Sequence, residues 1–240
     1  MELVTTKAIV LSAIKYGDTS LIVRCFTQKE GVKTYLIKGV LSKKKAKIKP
    51  AYFQPLTQLF IEAKHSNKST LHSLKEVHVV HPFKDIHSNI FKQTIVLFLS
   101  EILSNVIREE EQNKVLYHYL ESSFLWLDSH DEISNFHLLF LLNLTRFLGF
   151  YPDVTENTKK GFNLVEGCFT EITQEKEVIF GKNLALLKRL FGINFDSINT
   201  ASFHKKERQK VLKIIIRYYQ LHLDGFKTPK SLPILETVFN

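Results

Sequence analysis

Cysteine is scarce in this 240-residue chain: there are two, Cys25 and Cys168, far apart in the sequence. Two isolated cysteines set up no disulfide framework, and such usage fits a reducing compartment. The opening residues, MELVTTKAIV, lack a basic stretch, an apolar stretch and a small-residue cleavage site, so no signal peptide is expected. Long hydrophobic runs are missing too. The greasiest segment, Phe136 to Phe150, is broken by His137, Asn143 and Arg146, and is too short and too polar to span a bilayer. There is no internal repeat. Nor is there a Walker-type loop, a Gly-x-Gly-x-x-Gly or a Gly-x-Ser-x-Gly, which removes the commonest nucleotide and nucleophile signatures.

Acid is absent where base is densest. Residues 38–50, KGVLSKKKAKIKP, hold six lysines and no Asp or Glu. The whole chain carries a net charge of +9, and all of that excess lies early. Residues 1–80 contain 14 Lys and Arg against 5 Asp and Glu, while residues 81–240 contain 19 of each. A basic N-terminal part followed by a neutral remainder is the first organising fact. Clustered lysines repel one another. Phosphates would neutralise them and release condensed counterions, which drives association. A plain solvated loop is the bland alternative, and the regional imbalance of charge favours a nucleic-acid contact over it. Lysines read backbone rather than base edges, so no sequence specificity is expected. Tyr35, Tyr52 and Phe53 flank the segment as candidate stacking residues.

What is present supports a real core. The chain is 44% hydrophobic and holds 19 Phe. The first 80 residues read as five strands, Thr5–Ile14, Thr19–Thr27, Gly31–Lys38, Phe53–Lys64 and Thr70–Val80, rich in β-branched and aromatic residues and bounded by turns. Five short strands suggest a small barrel, and a five-stranded barrel that binds nucleic acid on one face is the OB-fold. After Pro82 the apolar spacing becomes helical, over Ile90–Ile107, Lys114–Leu127, Ser134–Leu148, Leu184–Phe191, Phe203–Leu223 and Ser231–Phe239. The fold class expected is therefore multidomain α and β. An OB-fold β-barrel over residues 1–80 precedes a mostly α-helical domain over 81–240, which carries a small hairpin insert near 157–181.

Candidates for catalysis are weak. Glu109, Glu110 and Glu111 suit a helix N-terminus and point in different directions. His78 and His81 sit three apart near a strand end and face opposite ways. His118, His137 and His222 read as packing residues on helices, and Cys25 as an inert core thiol. The protein is expected not to be an enzyme. On the long helix Lys206, Lys210, Lys213 and Arg217 form one cationic stripe opposite Leu212, Ile215, Ile216, Tyr219 and Leu223. It suits a solvated face or a dock for an acidic peptide or a second nucleic-acid strand. Four function classes stay open on the residues: a DNA-annealing protein, an RNA-binding OB protein, a nuclease, and a scaffold whose lysines meet an acidic protein.

Several short motifs occur in order: Ile9-Val10-Leu11, Tyr16-Gly17-Asp18, Phe26-Thr27 with Gly31, and Lys38-Gly39 leading into the basic segment. Further on come Phe53-Gln54-Pro55-Leu56, Leu148-Gly149-Phe150-Tyr151-Pro152-Asp153 and Pro229-Lys230-Ser231-Leu232. Together they resemble the RecO family of bacterial recombination mediators, the last three matching its next strand, the helix end before its zinc module and its closing helix. The resemblance spans nearly the whole chain. It implies an OB-fold, a helical C-terminal domain and a non-catalytic role in RecF-pathway repair. Such proteins bind single- and double-stranded DNA and anneal complementary strands. With RecR they help load RecA onto DNA coated by single-stranded-DNA-binding protein. The resemblance also implies a bacterial cytoplasmic, nucleoid-associated protein with no membrane association and no cofactor. Lys38, Lys43, Lys44, Lys45, Lys47 and Lys49 match the family's basic stretch, so DNA contact is expected of them. Arg24, on the strand face of Ile22 and Phe26, is a further DNA candidate. The stripe of Lys206, Lys210, Lys213 and Arg217 is a candidate for the acidic C-terminal tail of the single-strand-binding protein.

One departure from the family stands out. Many relatives carry two cysteine pairs that bind zinc after the Pro-Asp motif. Aligned from Pro152, the first pair falls on Asn157 and Lys160, Gly161 still matches, and only Cys168 remains near the second pair. Structural zinc takes four N or S ligands, so no zinc is expected. Phe162, Leu164, Phe169 and Phe180 are expected to pack the insert instead.

Overall fold

A computed structural model describes residues 2–42, 48–66, 70–108 and 111–239. The chain packs as two compact units, one of residues 1–129 with 229–231, the other of residues 130–228 with 232–240. The change of sequence texture near residue 80 thus marks the end of the strands, whereas the first unit extends through the next two helices.

The first unit is built on a closed barrel of five strands: β1 (Glu2–Tyr16), β2 (Ser20–Thr27), β3 (Gly31–Ile37), β4 (Gln58–His65) and β5 (Leu71–Val79), in the order β1-β2-β3-β5-β4. All pairings are antiparallel except β3 with β5, where Thr34 lies opposite Leu71 and Tyr35 opposite His72. This is the OB-fold arrangement. One long strand serves two neighbours. The N-terminal half of β1 pairs β4, from Glu2↔His65 to Ile9↔Gln58, and its C-terminal half pairs β2 as far as Tyr16↔Ser20. A bulge between Val10 and Ser12 bends β1 between the two roles.

Alternation fills the interior with Ala8, Val10, Val23, Cys25, Tyr35, Ile37, Leu59, Ile61, Ala63 and Val77. The segment expected to begin a strand at Phe53 does not. Pro50–Phe53 is a 3₁₀ turn, and Leu56 adopts φ 61° with a fully buried side chain. The left-handed residue closes the barrel at the bulge: Leu56 N–H donates to Val10 O (2.8 Å) and Val10 N–H to Thr57 O (3.0 Å). β4 therefore starts at Gln58, after Pro55 has prevented earlier pairing.

Two helices belong to the same unit. α1 (Ile90–Val106) begins at Asn89, whose side chain accepts from Phe91 N–H and Lys92 N–H. α2 (Lys114–Ser129) follows. α1 and α2 cover part of the outer side of the barrel through Phe26, whose ring lies 6.0 Å from that of Tyr117, through Ser104 Oγ donating to Leu11 O (3.1 Å), and through Lys7 paired with Glu121 (2.9 Å). The Glu101 carboxylate on α1 accepts from Lys230 N–H (2.6 Å) and Ser231 N–H (3.3 Å), which brings residues 229–231 into this unit.

The second unit is mostly helical: α3 (Phe136–Phe147), α4 (Gly181–Lys188), α5 (Lys205–His222) and α6 (Leu232–Val238). Apolar residues recur along α5 so that Val211, Leu212, Ile215, Ile216, Tyr218 and Tyr219 are buried, and Tyr219 Oη donates to Leu141 O on α3 (2.7 Å). The insert expected as a hairpin is a three-stranded antiparallel sheet of β6 (Gly161–Asn163), β7 (Cys168–Thr170) and β8 (Val178–Phe180), ordered β7-β6-β8. Phe162, Leu164 and Phe169 are buried as expected, whereas Phe180 is exposed because it ends β8 immediately before α4. The ring of Phe162 meets those of Phe169, Phe191 and Tyr218 instead. No helix among the described residues is long and apolar enough to cross a membrane.

Candidate nucleic-acid interface

The basic segment leaves the barrel at one point and returns to it at another, and both ends are held. After β3 the chain turns at Gly39, where φ is +69°, a conformation that favours glycine. Leu41 N–H then donates to Thr19 O (2.8 Å), which ties the segment's start to the β1–β2 turn. Val40 is buried in the barrel core, and at the far end Ile48 packs against the same core. Lys49 O accepts from Tyr52 N–H and opens the 3₁₀ turn. Lys38 and Lys49 are exposed, and neither makes an ion pair among the described residues. Lys43, Lys44, Lys45 and Lys47 lie outside the described residues.

Arg24 is placed differently from the phosphate contact expected of it. Its guanidinium turns to the end of α1, where Nη1 donates to Ser104 O (2.5 Å) and Nη2 to Ile107 O (2.8 Å). Those carbonyls are among the four that a helix leaves unsatisfied, and a cation suits that end of the helix dipole. Burial, and then the neighbouring Arg108, hold the Arg24 pKa below its ordinary value. The strand face of Ile22 and Phe26 is partly roofed by helix, which sequence spacing within β2 does not reveal. Two of the candidate stacking residues are also elsewhere: Tyr35 is 0% and Phe53 2% exposed, both inside the barrel. Tyr52 is partly buried against the core.

The barrel mouth near β3 and β5 holds a polar cluster that the sequence did not announce. Tyr35 Oη lies 3.1 Å from His65 Nε2, His65 Nδ1 meets the Glu30 carboxylate, and the His72 ring stands 4.5 Å from that of His65. Burial pushes the Tyr35 phenol far up, so it is no nucleophile. Burial likewise pushes the Cys25 thiol up to about 12. Among the described residues no group of three or more His, Cys, Asp and Glu could hold a metal ion.

In the second unit the cationic stripe of α5 is divided. Arg217 forms a two-point pair with Glu177, Nη2 to Oε1 at 2.6 Å and Nε to Oε2 at 3.1 Å, and Lys213 lies 3.9 Å from Glu236. Lys206 and Lys210 are exposed and make no ion pair among the described residues. Beside them a groove is lined by Lys205, Arg208, His137, Leu212, Leu235 and Phe239, and by the carboxylate-bearing Glu236. His137 is buried, and burial followed by the Arg208 charge pushes its pKa down to about 3, so it is neutral. His118, expected to pack, is exposed on α2, 3.5 Å from Glu121.

Comparison with known proteins agrees with this architecture. The family model described as Recombination protein O N terminal matches residues 1–83, and that described as Recombination protein O C terminal matches residues 87–232. The DNA repair protein RecO of Flavobacterium psychrophilum is 48% identical, across 99% of this chain and 99% of its own. That of Christiangramia forsetii is 46% identical with the same coverage, and that of Bacteroides fragilis 37% identical across 98% of each chain. The chain belongs to the RecO family.

Proposed function

We propose that this protein serves recombinational DNA repair as a non-catalytic DNA-binding and strand-annealing protein. The observation that carries the reading is the anchoring of the lysine-rich segment at both ends on an OB barrel. Lys38, Lys43, Lys44, Lys45, Lys47 and Lys49 neutralise phosphates of single- and double-stranded DNA. Two strands held on one basic surface repel each other less, and complementary bases then pair. The process needs no nucleotide hydrolysis and no metal. By the same reading the protein helps RecA onto DNA coated by single-strand-binding protein, together with RecR. The acidic C-terminal tail of the coating protein is assigned to α5. Lys206 and Lys210 attract it there, and the neighbouring groove offers Lys205 and apolar side chains, with Arg208 already bonded to Asn135 and Glu236 the one acid in its lining. Lys213 and Arg217, already facing Glu236 and Glu177, contribute less.

The test is annealing of two labelled complementary strands at several salt concentrations, with and without single-strand-binding protein, and without ATP or divalent metal. Salt-sensitive acceleration that persists on coated strands is the expected result. Binding to bare strands without acceleration would reduce the protein to a basic OB binder. Competition by RNA of equal length then shows whether DNA is its ligand at all.

A further inference from the structure

The strand face beside the basic segment carries a strip that sequence reading did not single out. Ile14 on β1 pairs with Ile22 on β2, and Ile22 with Leu36 on β3, so three branched aliphatic side chains form one row across three strands. The next row outward begins with Tyr16 opposite Ser20, and Lys38 follows one residue past the end of β3. The row inward is Ser12, Arg24 and Thr34, where the Arg24 guanidinium reaches the α1 carbonyls. The part of the face beyond Arg24 is therefore two rows deep and three strands wide, with Ile14 and Tyr16 exposed and Ile22 and Leu36 half-buried. That is about 7 Å along the strands and about 10 Å across them.

Its exposure is unusual for its chemistry. Ile14 is 60% and Tyr16 55% exposed, at the tip of a hairpin whose turn runs through Gly17 at φ +59°. The same turn supplies Thr19 O, which receives Leu41 N–H, so the start of the lysine segment is fastened beside Tyr16. An apolar and aromatic strip thus adjoins the exposed Lys38 and the anchored start of the lysine-rich segment at Leu41. A single nucleic-acid strand complements both halves: its bases offer apolar π faces and its phosphates offer negative charge. A duplex hides its base faces and complements only the lysines. An acidic protein surface would match the lysines but need a separate apolar patch for the strip, whereas each nucleotide carries both features.

We propose that Tyr16 is a base-stacking residue, and that the strip of Tyr16, Ile14, Ile22 and Leu36 holds bases of single-stranded DNA while Lys38 beside it holds a phosphate. A patch of about 7 by 10 Å has room for about one or two bases laid face-on. The proposal rests on the reading that the barrel binds DNA and adds that the strip recognises strandedness, not sequence. Stacking tolerates any base, and pairing with a complementary strand requires the stacked bases to leave the strip.

The experiment measures anisotropy of the full chain with labelled oligothymidine, an abasic strand of equal length, and a duplex, each at several salt concentrations. The expected result is that Tyr16→Ala weakens oligothymidine binding about tenfold with an unchanged salt slope, leaves the abasic strand and the duplex unaffected, and is rescued by Tyr16→Phe. An unaltered oligothymidine affinity, or an equal loss on all three ligands, would overturn the stacking role while DNA binding stands. If the unaltered protein binds none of the three at low salt, the underlying reading fails, and the strip belongs to a protein partner.

Discussion

Arg24 on β2 donates to the backbone carbonyl of Ser104, 2.5 Å away near the end of α1, and so couples a barrel strand to a helix terminus eighty residues later. Replacement by Ala leaves that carbonyl and the one at Ile107 without their donor. The expected cost is about 1–3 kcal/mol of stability, read as a lower urea midpoint. Lys does not restore it, because one ammonium lacks the two-pronged geometry of the guanidinium. The salt slope of DNA binding is expected to stay as it was; a smaller slope would return Arg24 to the phosphate contacts.

Lys38 and Lys49 are the described ends of the lysine segment. Lys38→Ala with Lys49→Ala is expected to flatten the log–log salt dependence of single-strand binding by up to about 1.4, at roughly 0.7 per phosphate. Neutralising all six lysines extends this to about 4. Titrations at four salt concentrations measure it, and an unchanged slope in the sixfold variant removes the segment from the interface.

Gly167 has φ +68°, and a Cβ placed on it would lie 2.5 Å from Tyr218 Oη. That hydroxyl donates to Phe150 O (2.9 Å). Gly167→Ala is expected to cost about 2 kcal/mol or more, from left-handed strain and a displaced hydrogen bond. Tyr218→Phe removes the clashing oxygen, so the double variant is expected to lose less than the two singles together. Denaturant melts of the four proteins close the cycle.

His137 is neutral when folded, with its pKa pushed down by burial to about 3, and takes a proton when unfolded below the ordinary imidazole pKa of about 6.5. The unfolded state therefore binds more protons in that window. Stability is full above about pH 6.5 and declines as pH falls toward 3, by up to about 1.4 kcal/mol per unit from this group. His137→Leu is expected to flatten that limb of the stability curve. Equal slopes in both proteins would show that other groups govern it.

The insert is packed by aromatic rings: Phe162 against Phe169 at 5.2 Å and against Tyr218 of α5 at 6.3 Å. Purified protein is expected to hold no stoichiometric zinc, and a strong chelator to leave its melting temperature unchanged. One tightly held zinc per chain by elemental analysis would contradict this.

Much of the fold could be read along the chain. Strand ends were close because alternation and turn residues are local properties, and the helices of both units were visible through their apolar spacing. Phe53 misled because an apolar residue serves a 3₁₀ turn as well as a strand when both point inward. The third strand of the insert is three residues long, too short to show a period. The interface was harder to read. The lysine segment announces itself by composition, but the fate of Arg24 depends on a helix end and that of Arg217 on Glu177, forty residues away. The exposure of Tyr16 has a local signal, an aromatic directly before a Gly-Asp turn, where few neighbours can bury it.

Glu101 receives its two backbone N–H groups from Lys230 and Ser231, so the first unit is closed by the chain's last stretch before α6. Synthesis runs from the N-terminus, and the barrel with its two helices is complete in sequence by residue 129. Its carboxylate clasp nevertheless waits until residue 231 has left the ribosome. A fragment cut after the second helix would carry every strand of the barrel and still end with that clasp open.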